Sequence, residues 1–353
     1  MDIKIDEHKL NYHPYAVGCW MKGNRIFPIC IEISPSGACN HRCAFCSQSY
    51  LGYQNRYIDT DNILAKLVGM YQGGTRSVVL AGEGEPMLHP EIEKIVSGIK
   101  QIGLDVAMSS NGALFYKEKA EKILPSLTWI RFSFNGHSPH NYAMVHGTNG
   151  DIFDVTLKNI SDAVRIKEKS RLSVTIGIQY VLYHDNWDIE AIEALICKFR
   201  DMGVDYFSIK PFSIHPLSHN IVKPCDFDGF ETWKKIFESY ATNDFEVFVR
   251  SNAIRNLSET KKYPYCLGIP FWSYVDSAAC VWPCLAFIGV DGFSLGDLKK
   301  QEYVDIIKSD RYSEIVSRIE KMDISKCRKS CRLDSINEYL WKLKKGVEHI
   351  NFI

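Results

Sequence analysis

Several features are missing from this chain of 353 residues. It has no net charge, because 42 lysines and arginines face 42 aspartates and glutamates. That balance argues against a general nucleic-acid binder, which needs a basic surface, although a local basic patch is compatible with it. No apolar run is long enough to span a bilayer. The opening stretch, Met1-Asp2-Ile3-Lys4-Ile5-Asp6-Glu7, is charged and lacks the apolar centre of a secretory signal. There is no internal repeat and no low-complexity tract. These absences predict a cytoplasmic globular protein without membrane contact. The hydrophobic content of 46% supplies a core, and the length suits one large domain with a smaller one.

Cysteine, by contrast, is plentiful, with 12 in the chain. In a cytosolic setting they read as metal or redox chemistry rather than as disulfide staples. Three crowd into one stretch, Cys39, Cys43 and Cys46, spaced C-x₃-C-x₂-C. Three thiolates cannot complete a four-cysteine cage, so a [4Fe–4S] cluster held by them keeps one iron without a protein ligand. An open coordination position is where a metal centre binds and activates a small molecule. Zinc usually takes paired C-x₂-C knuckles, and no second knuckle lies within the usual distance.

From about residue 28 to 212 strand-like and helix-like segments alternate. Strands are expected at 27–33, 77–81, 105–108, 129–134, 173–182 and 206–210. Helices are expected at 61–71, 92–101, 117–124, 153–167 and 188–202. Asp61 and Asp188 suit helix starts, and Gly103 and Gly203 suit helix ends. Six strands with helices between them imply a parallel sheet covered by helices, and periodicity alone also permits an open doubly wound sheet. Beyond a loop-like stretch at 213–220, a helix (230–240) and a short strand (245–249) are expected. Segments 271–276 and 280–287 read as a hairpin, followed by helices at 309–321 and 335–345.

The cysteine stretch, with Phe45 before its third cysteine and a strand just upstream, resembles the signature of the radical S-adenosylmethionine (SAM) enzymes. The resemblance implies a partial (β/α)₆ barrel whose open iron chelates the amino and carboxylate groups of SAM. One electron would then cleave SAM to methionine and a 5′-deoxyadenosyl radical that takes hydrogen from substrate. It also implies an external one-electron donor such as flavodoxin or ferredoxin. Function in barrels sits at the C-terminal ends of strands. After the second strand, Gly82-Glu83-Gly84-Glu85-Pro86 resembles the family's Gly-Gly-Glu-Pro motif, with Glu83 in place of a glycine. Ser110-Asn111-Gly112 resembles its Thr-Asn-Gly segment. Ser133-Phe134-Asn135-Gly136 is similar to its Ser-Ile-Asp-Gly pattern, with Asn135 replacing the acid. Phe45, Gly84, Glu85, Pro86, Ser110, Asn111, Ser133 and Gln179 are therefore the expected SAM contacts. Lys210 points to the same barrel mouth by position.

A second set of thiols, Cys266, Cys284, Cys327 and Cys331, suits by its spacing either an all-cysteine cluster or structural zinc. The segment from Asp276 to Cys284 and the Phe293–Leu298 stretch are similar to the SPASM/Twitch module of radical SAM enzymes. That similarity implies one auxiliary [4Fe–4S] cluster, two clusters in all. Cys19, Cys30, Cys197 and Cys225 read as core packing. Cys280, on the hairpin, is the one singled out as a further cluster ligand or a hydrogen-atom donor. The expected organisation is an N-terminal extension (1–24), a barrel core (25–220), a connecting region (221–265), an auxiliary iron–sulfur domain (266–345) and a tail (346–353). Only about 25 residues precede the first strand, too few for a leader-recognition domain. A small polar substrate such as a sugar, aminocyclitol or nucleotide-linked sugar is expected, dehydrogenated with the auxiliary cluster as electron acceptor. The alternatives are a peptide modifier (epimerase or thioether-forming) working with a separate recognition protein, and a non-enzymatic zinc-binding module.

Overall fold

The structure, a computed structural model, describes residues 5–218, 220 and 222–352. The first four residues of the N-terminal stretch, His219, Ile221 and Ile353 lie outside the described residues. Seven parallel strands run in chain order: β1 (Cys30–Ile33), β2 (Ser77–Leu80), β3 (Asp105–Ser110), β4 (Trp129–Ser133), β5 (Thr175–Leu182), β6 (Tyr206–Pro211) and β7 (Glu246–Val249). Sequential order leaves no switch point, which a doubly wound sheet requires. The sheet instead curls around a lumen, as a partial barrel does.

Two faces of each strand decide what lies where. On the outer face Ile31, Val78, Val106, Ile130, Phe132, Ile176 and Ile178 are fully buried beneath the helices. The inner face carries Glu32, Arg131, Ser133, Gln179 and Lys210, which line one large cavity. Strand periodicity of two produces this separation.

A hairpin of β8 (Trp272–Val275) and β9 (Cys280–Trp282), followed by β10 (Gly296–Asp297), extends the sheet on the other side. β8 pairs in parallel with β1, Cys30 opposite Trp272 and Ile33 opposite Val275. The expected strand at 245–249 is present, but as a seventh barrel strand beside β6.

Some expected boundaries shift. The segment expected as a strand at 280–287 stops at Trp282, because Pro283 offers no N–H to a ladder, and a short 3₁₀ turn, Leu285–Phe287, follows. The helix expected from Asp61 is Thr60–Gly73, and Asp59 caps it by accepting from Asn62 N–H at 2.7 Å. Asp188 caps its helix as expected, and Gly103 and Gly203 close theirs in the left-handed region. Helices at Pro14–Met21, Pro139–His146, Ser251–Ser258 and Tyr303–Lys308 were not expected. No helix among the described residues is long and apolar enough to cross a membrane.

Candidate active site

The loop after β1 carries Cys39, Cys43 and Cys46, and all three line a cavity of about 700 Å³, within the range of roughly 300–1,000 Å³ typical of ligand sites. The helix Pro139–His146 holds this loop in place. Arg42 N–H donates to His146 O and Ala44 N–H to Val145 O, each at 3.0 Å. Gly147, at φ +56°, lies so close that a Cβ there would sit 2.3 Å from the Arg42 carbonyl oxygen. Burial pushes the Cys39 thiol up to about 12 and raises Cys43 as well. Neither becomes a thiolate near neutral pH unless a metal centre takes the proton's place.

His146 is fully buried beside this loop. Asn135 N–H donates to its Nε2 at 3.1 Å, so that nitrogen bears no proton. The ring proton of neutral His146 is then on Nδ1, which lies 3.4 Å from Cys43 Sγ. Burial, followed by the neighbouring His41, holds the ring well below the usual histidine range. His41 is also buried, and neither of its ring nitrogens has a hydrogen-bond partner.

The loop after β2 packs backbone against backbone. A Cβ on Gly84 would meet Ala38 O at 2.0 Å and Ser36 O at 2.6 Å. Glu85 N–H donates to Ala38 O at 2.8 Å. The Glu85 carboxylate accepts from Ser110 Oγ at 2.7 Å, Asn111 N–H at 2.8 Å and Met87 N–H at 3.1 Å. It thereby ties the β2 loop to the end of β3. Asn111 in turn donates from Nδ2 to Asn40 Oδ1 at 2.7 Å, inside the cysteine loop. Glu83 turns away from this cluster and accepts from Ser277 N–H at 2.7 Å and from Arg56 at 3.3 Å. Phe45, Gly84, Glu85, Ser110, Asn111, Ser133 and Gln179 all line the cavity, whereas Pro86 starts a buried 3₁₀ turn behind it. Asn135 is a structural hub whose Oδ1 accepts from Val181 N–H at 2.6 Å.

Cys284, Cys327 and Cys331 line the same cavity, and Cys266 sits behind them against a smaller one. After burial, Cys284 is raised by the charges of Cys331, Cys327 and Cys266, which gathers the four into one neighbourhood. Asn337 fastens Cys266, donating to its sulfur at 3.4 Å while accepting from Leu267 N–H at 2.5 Å and Gly268 N–H at 3.0 Å. Asp334 fastens Cys331, accepting from its N–H at 2.7 Å, from Lys261 at 2.7 Å and from Tyr263 Oη at 2.5 Å. Cys280 is absent from the cavity wall. It lies on β9 opposite Asp297, its N–H donating to Asp276 at 2.9 Å.

Residues 33–196 match the model of the Radical SAM superfamily. Residues 33–196 therefore carry a radical SAM domain. A protein named probable GTP 3',8-cyclase from Saccharolobus solfataricus is 33% identical over 138 residues, 38% of this chain and 44% of that protein. The GTP 3',8-cyclase of Chlorobaculum tepidum is 26% identical over 192 residues, 53% of this chain and 55% of that protein. The chain spans about half the length of the curated relatives it matches. Among solved structures, Streptococcus suis SuiB bound to S-adenosylmethionine superposes with a TM-score of 0.68 at 19% identity, covering 87% of this chain and 72% of that one. Native anSMEcpe with bound AdoMet gives 0.62 at 16% identity, covering 90% and 96%. These likenesses show the fold.

A radical SAM domain implies a [4Fe–4S] cluster and SAM, and the residues fit both. Three partly buried thiols share one loop on a cavity wall. Among the described residues one set of three possible ligand atoms, on His41, Cys43 and His146, lies within 4.8 Å, and no three cysteine sulfurs do. For SAM, Gly84, Glu85, Ser110 and Asn111 offer polar and backbone groups on the cavity wall beside the cysteine loop.

Sequence reasoning placed Lys210 at the barrel mouth but missed His146, Glu32, Arg131 and Arg332. Arg131 lies two residues before Ser133 on β4, hence on the same face and roughly 7 Å deeper. Arg332 ion-pairs with the buried Glu32 and lies over the Trp272 ring, 5.1 Å from its centroid. Charged residues at single positions of otherwise apolar strands were the available signal.

Proposed function

We propose that this chain is a radical SAM oxidoreductase acting on a small polar substrate of the sugar, aminocyclitol or nucleotide-linked sugar kind. Cys39, Cys43 and Cys46 would hold the SAM-binding cluster, and Cys266, Cys284, Cys327 and Cys331 an auxiliary [4Fe–4S] cluster in a module of SPASM/Twitch type. Bound together, the first cluster and SAM supply a hydrogen-abstracting radical, and an auxiliary cluster supplies an acceptor for the second electron of a dehydrogenation. The observation carrying this reading is that one cavity is bordered by Cys39, Cys43 and Cys46 and also by Cys284, Cys327 and Cys331. Phe45, Gly84, Ser133 and Gln179 line the space between them. Glu85, Ser110 and Asn111 fix the two loops that form its rim. The name of the curated relatives, which states GTP as their substrate, supports the nucleotide-linked member of the class.

The test is iron and sulfide per chain after anaerobic reconstitution, together with 5′-deoxyadenosine formed on reduction. About eight irons should fall to about four when Cys39, Cys43 and Cys46 become alanine, with loss of all 5′-deoxyadenosine. About four falling to none would remove the auxiliary cluster from the reading. A loaded wild type that never cleaves SAM would overturn the activity itself. A leader peptide that stimulates turnover, where sugars do not, would make the substrate a peptide.

A further inference from the structure

The positive charges on the cavity wall can be accounted for one by one. Arg250 is answered by Asp6 at 3.3 Å, and Arg332 by Glu32. Arg328 donates to Ser213 Oγ and Ser213 O, each at 3.2 Å, and lies among the thiols of the auxiliary set. Two cations are left over. Arg131 Nε is buried without a hydrogen-bond partner, and its guanidinium lies 5.5 Å from the Trp129 ring centroid with no ion pair among the described residues. Lys210 has no hydrogen bond or ion pair to its ammonium among the described residues. The carboxylates on the wall are committed, Glu32 and Asp6 as above, Glu85 to Ser110 and Asn111, Asp334 to Lys261, and Glu7 to a partner of its own. Burial, then the charges of Arg131, Arg250, Arg328 and Arg332, press against the Lys210 ammonium.

Two partly buried cations that no carboxylate answers cost folding free energy. A fold keeps such a pair where a ligand completes it. We propose that Arg131 on β4 and Lys210 on β6 form an anion subsite, and that the substrate carries a phosphoryl group seated there. This rests on the reading of the cavity as a substrate site. Arg131 and Lys210 enter the lumen from two strands at different heights, four residues apart in register, and a guanidinium fork and an ammonium placed so suit a tetrahedral anion with oxygens facing several ways. A planar carboxylate fits one bidentate arginine better. With its charged end held in the lumen, the substrate presents its neutral carbons to the space between the two thiol sets.

The experiment is calorimetric binding of inorganic pyrophosphate to the reconstituted full chain, with thermal unfolding of each protein in phosphate-free buffer. Wild type should bind pyrophosphate. Arg131→Gln and Lys210→Gln should each weaken binding about tenfold or more, while Arg131→Lys retains most of it. Without ligand, both glutamine variants should melt at the wild-type temperature or above it, because each removes repulsion. A merely structural role would lower the melting temperature instead. Pyrophosphate binding that is absent in wild type, or equal in all variants, overturns the subsite. Binding of acetate or malonate in place of pyrophosphate overturns the phosphoryl assignment. The Cys39/Cys43/Cys46→Ala variant, unable to cleave SAM, should still bind pyrophosphate. Failure of the subsite and failure of the radical reading are thereby separate results.

Discussion

His146 Nδ1 faces Cys43 Sγ at 3.4 Å, and its proton is assigned to that side by the Asn135 N–H on the opposite nitrogen. A buried N–H donor aimed at a ligand sulfur withdraws electron density from it, and hydrogen bonds of this kind are one of the levers on iron–sulfur potentials. Replacing His146 by leucine should lower the reduction potential of the cluster proposed on Cys39, Cys43 and Cys46, leaving the signal of the proposed auxiliary cluster unmoved. An electron-resonance redox titration reads both. Equal potentials in wild type and variant would reduce His146 to a packing residue.

Gly84 admits no side chain. A methyl group there would collide with the Ala38 and Ser36 carbonyl oxygens, which belong to backbone and cannot swing aside. Gly84→Ala should cost about 1–3 kcal/mol. It should also displace the cysteine loop enough to drop the iron content toward about four per chain. Chemical denaturation and iron analysis check the two parts separately.

The Asp334–Lys261 pair is buried on both sides, with side chains 6% and 10% exposed. Asp334→Asn leaves the ammonium without its charge partner and should cost about 3–5 kcal/mol. It should also loosen Cys331, whose N–H it holds. The pair has a pH signature. Burial lowers the Lys261 pKa, but the Asp334 charge and hydrogen bond more than offset it, so the net shift is upward. A raised folded-state pKa gives stability that is complete below the unfolded lysine value, roughly 10.4, and fades as pH climbs past it. Wild type should therefore lose stability above that pH, and Asp334→Asn should lose less. Urea midpoints measured across the alkaline range decide it.

Cys280 faces Asp297 across β9 rather than the cavity. Burial, then the charges of Asp276 and Asp297, push its thiol up to about 11. Cys280→Ala should leave iron per chain and 5′-deoxyadenosine formation close to wild type. A large fall in turnover with iron retained would restore it as a hydrogen donor.

Much of the barrel was legible because its strands obey one rule, apolar outward and a helix after each. Gly103, Gly203 and Asp188 marked boundaries through backbone preferences that do not depend on tertiary contacts. The grouping of Cys39, Cys43 and Cys46 on one cavity wall was legible because residues adjacent in sequence must be adjacent in space. His146 was not, since its role depends on a helix returning to the cysteine loop from the far side of β4. The pairing of Glu32 with Arg332 joins residues almost a whole chain apart, and no local pattern announces it. The strand expected over 280–287 failed at Pro283, where a local rule was available and outweighed by the apolar run.

The parallel seam between β1 and β8 bears on how the molecule is made. Cys30 emerges early in synthesis and Trp272 late, yet the two strands lie side by side. Until the hairpin arrives, β1 presents a bare row of amides and carbonyls next to the loop that carries the cysteines, an edge open to pairing with other chains. Contacts this distant in sequence also form slowly. A nascent chain stalled short of Trp272 would be sticky where it most needs protection, and the arrival of the hairpin both shields that edge and brings the second set of thiols to the cavity.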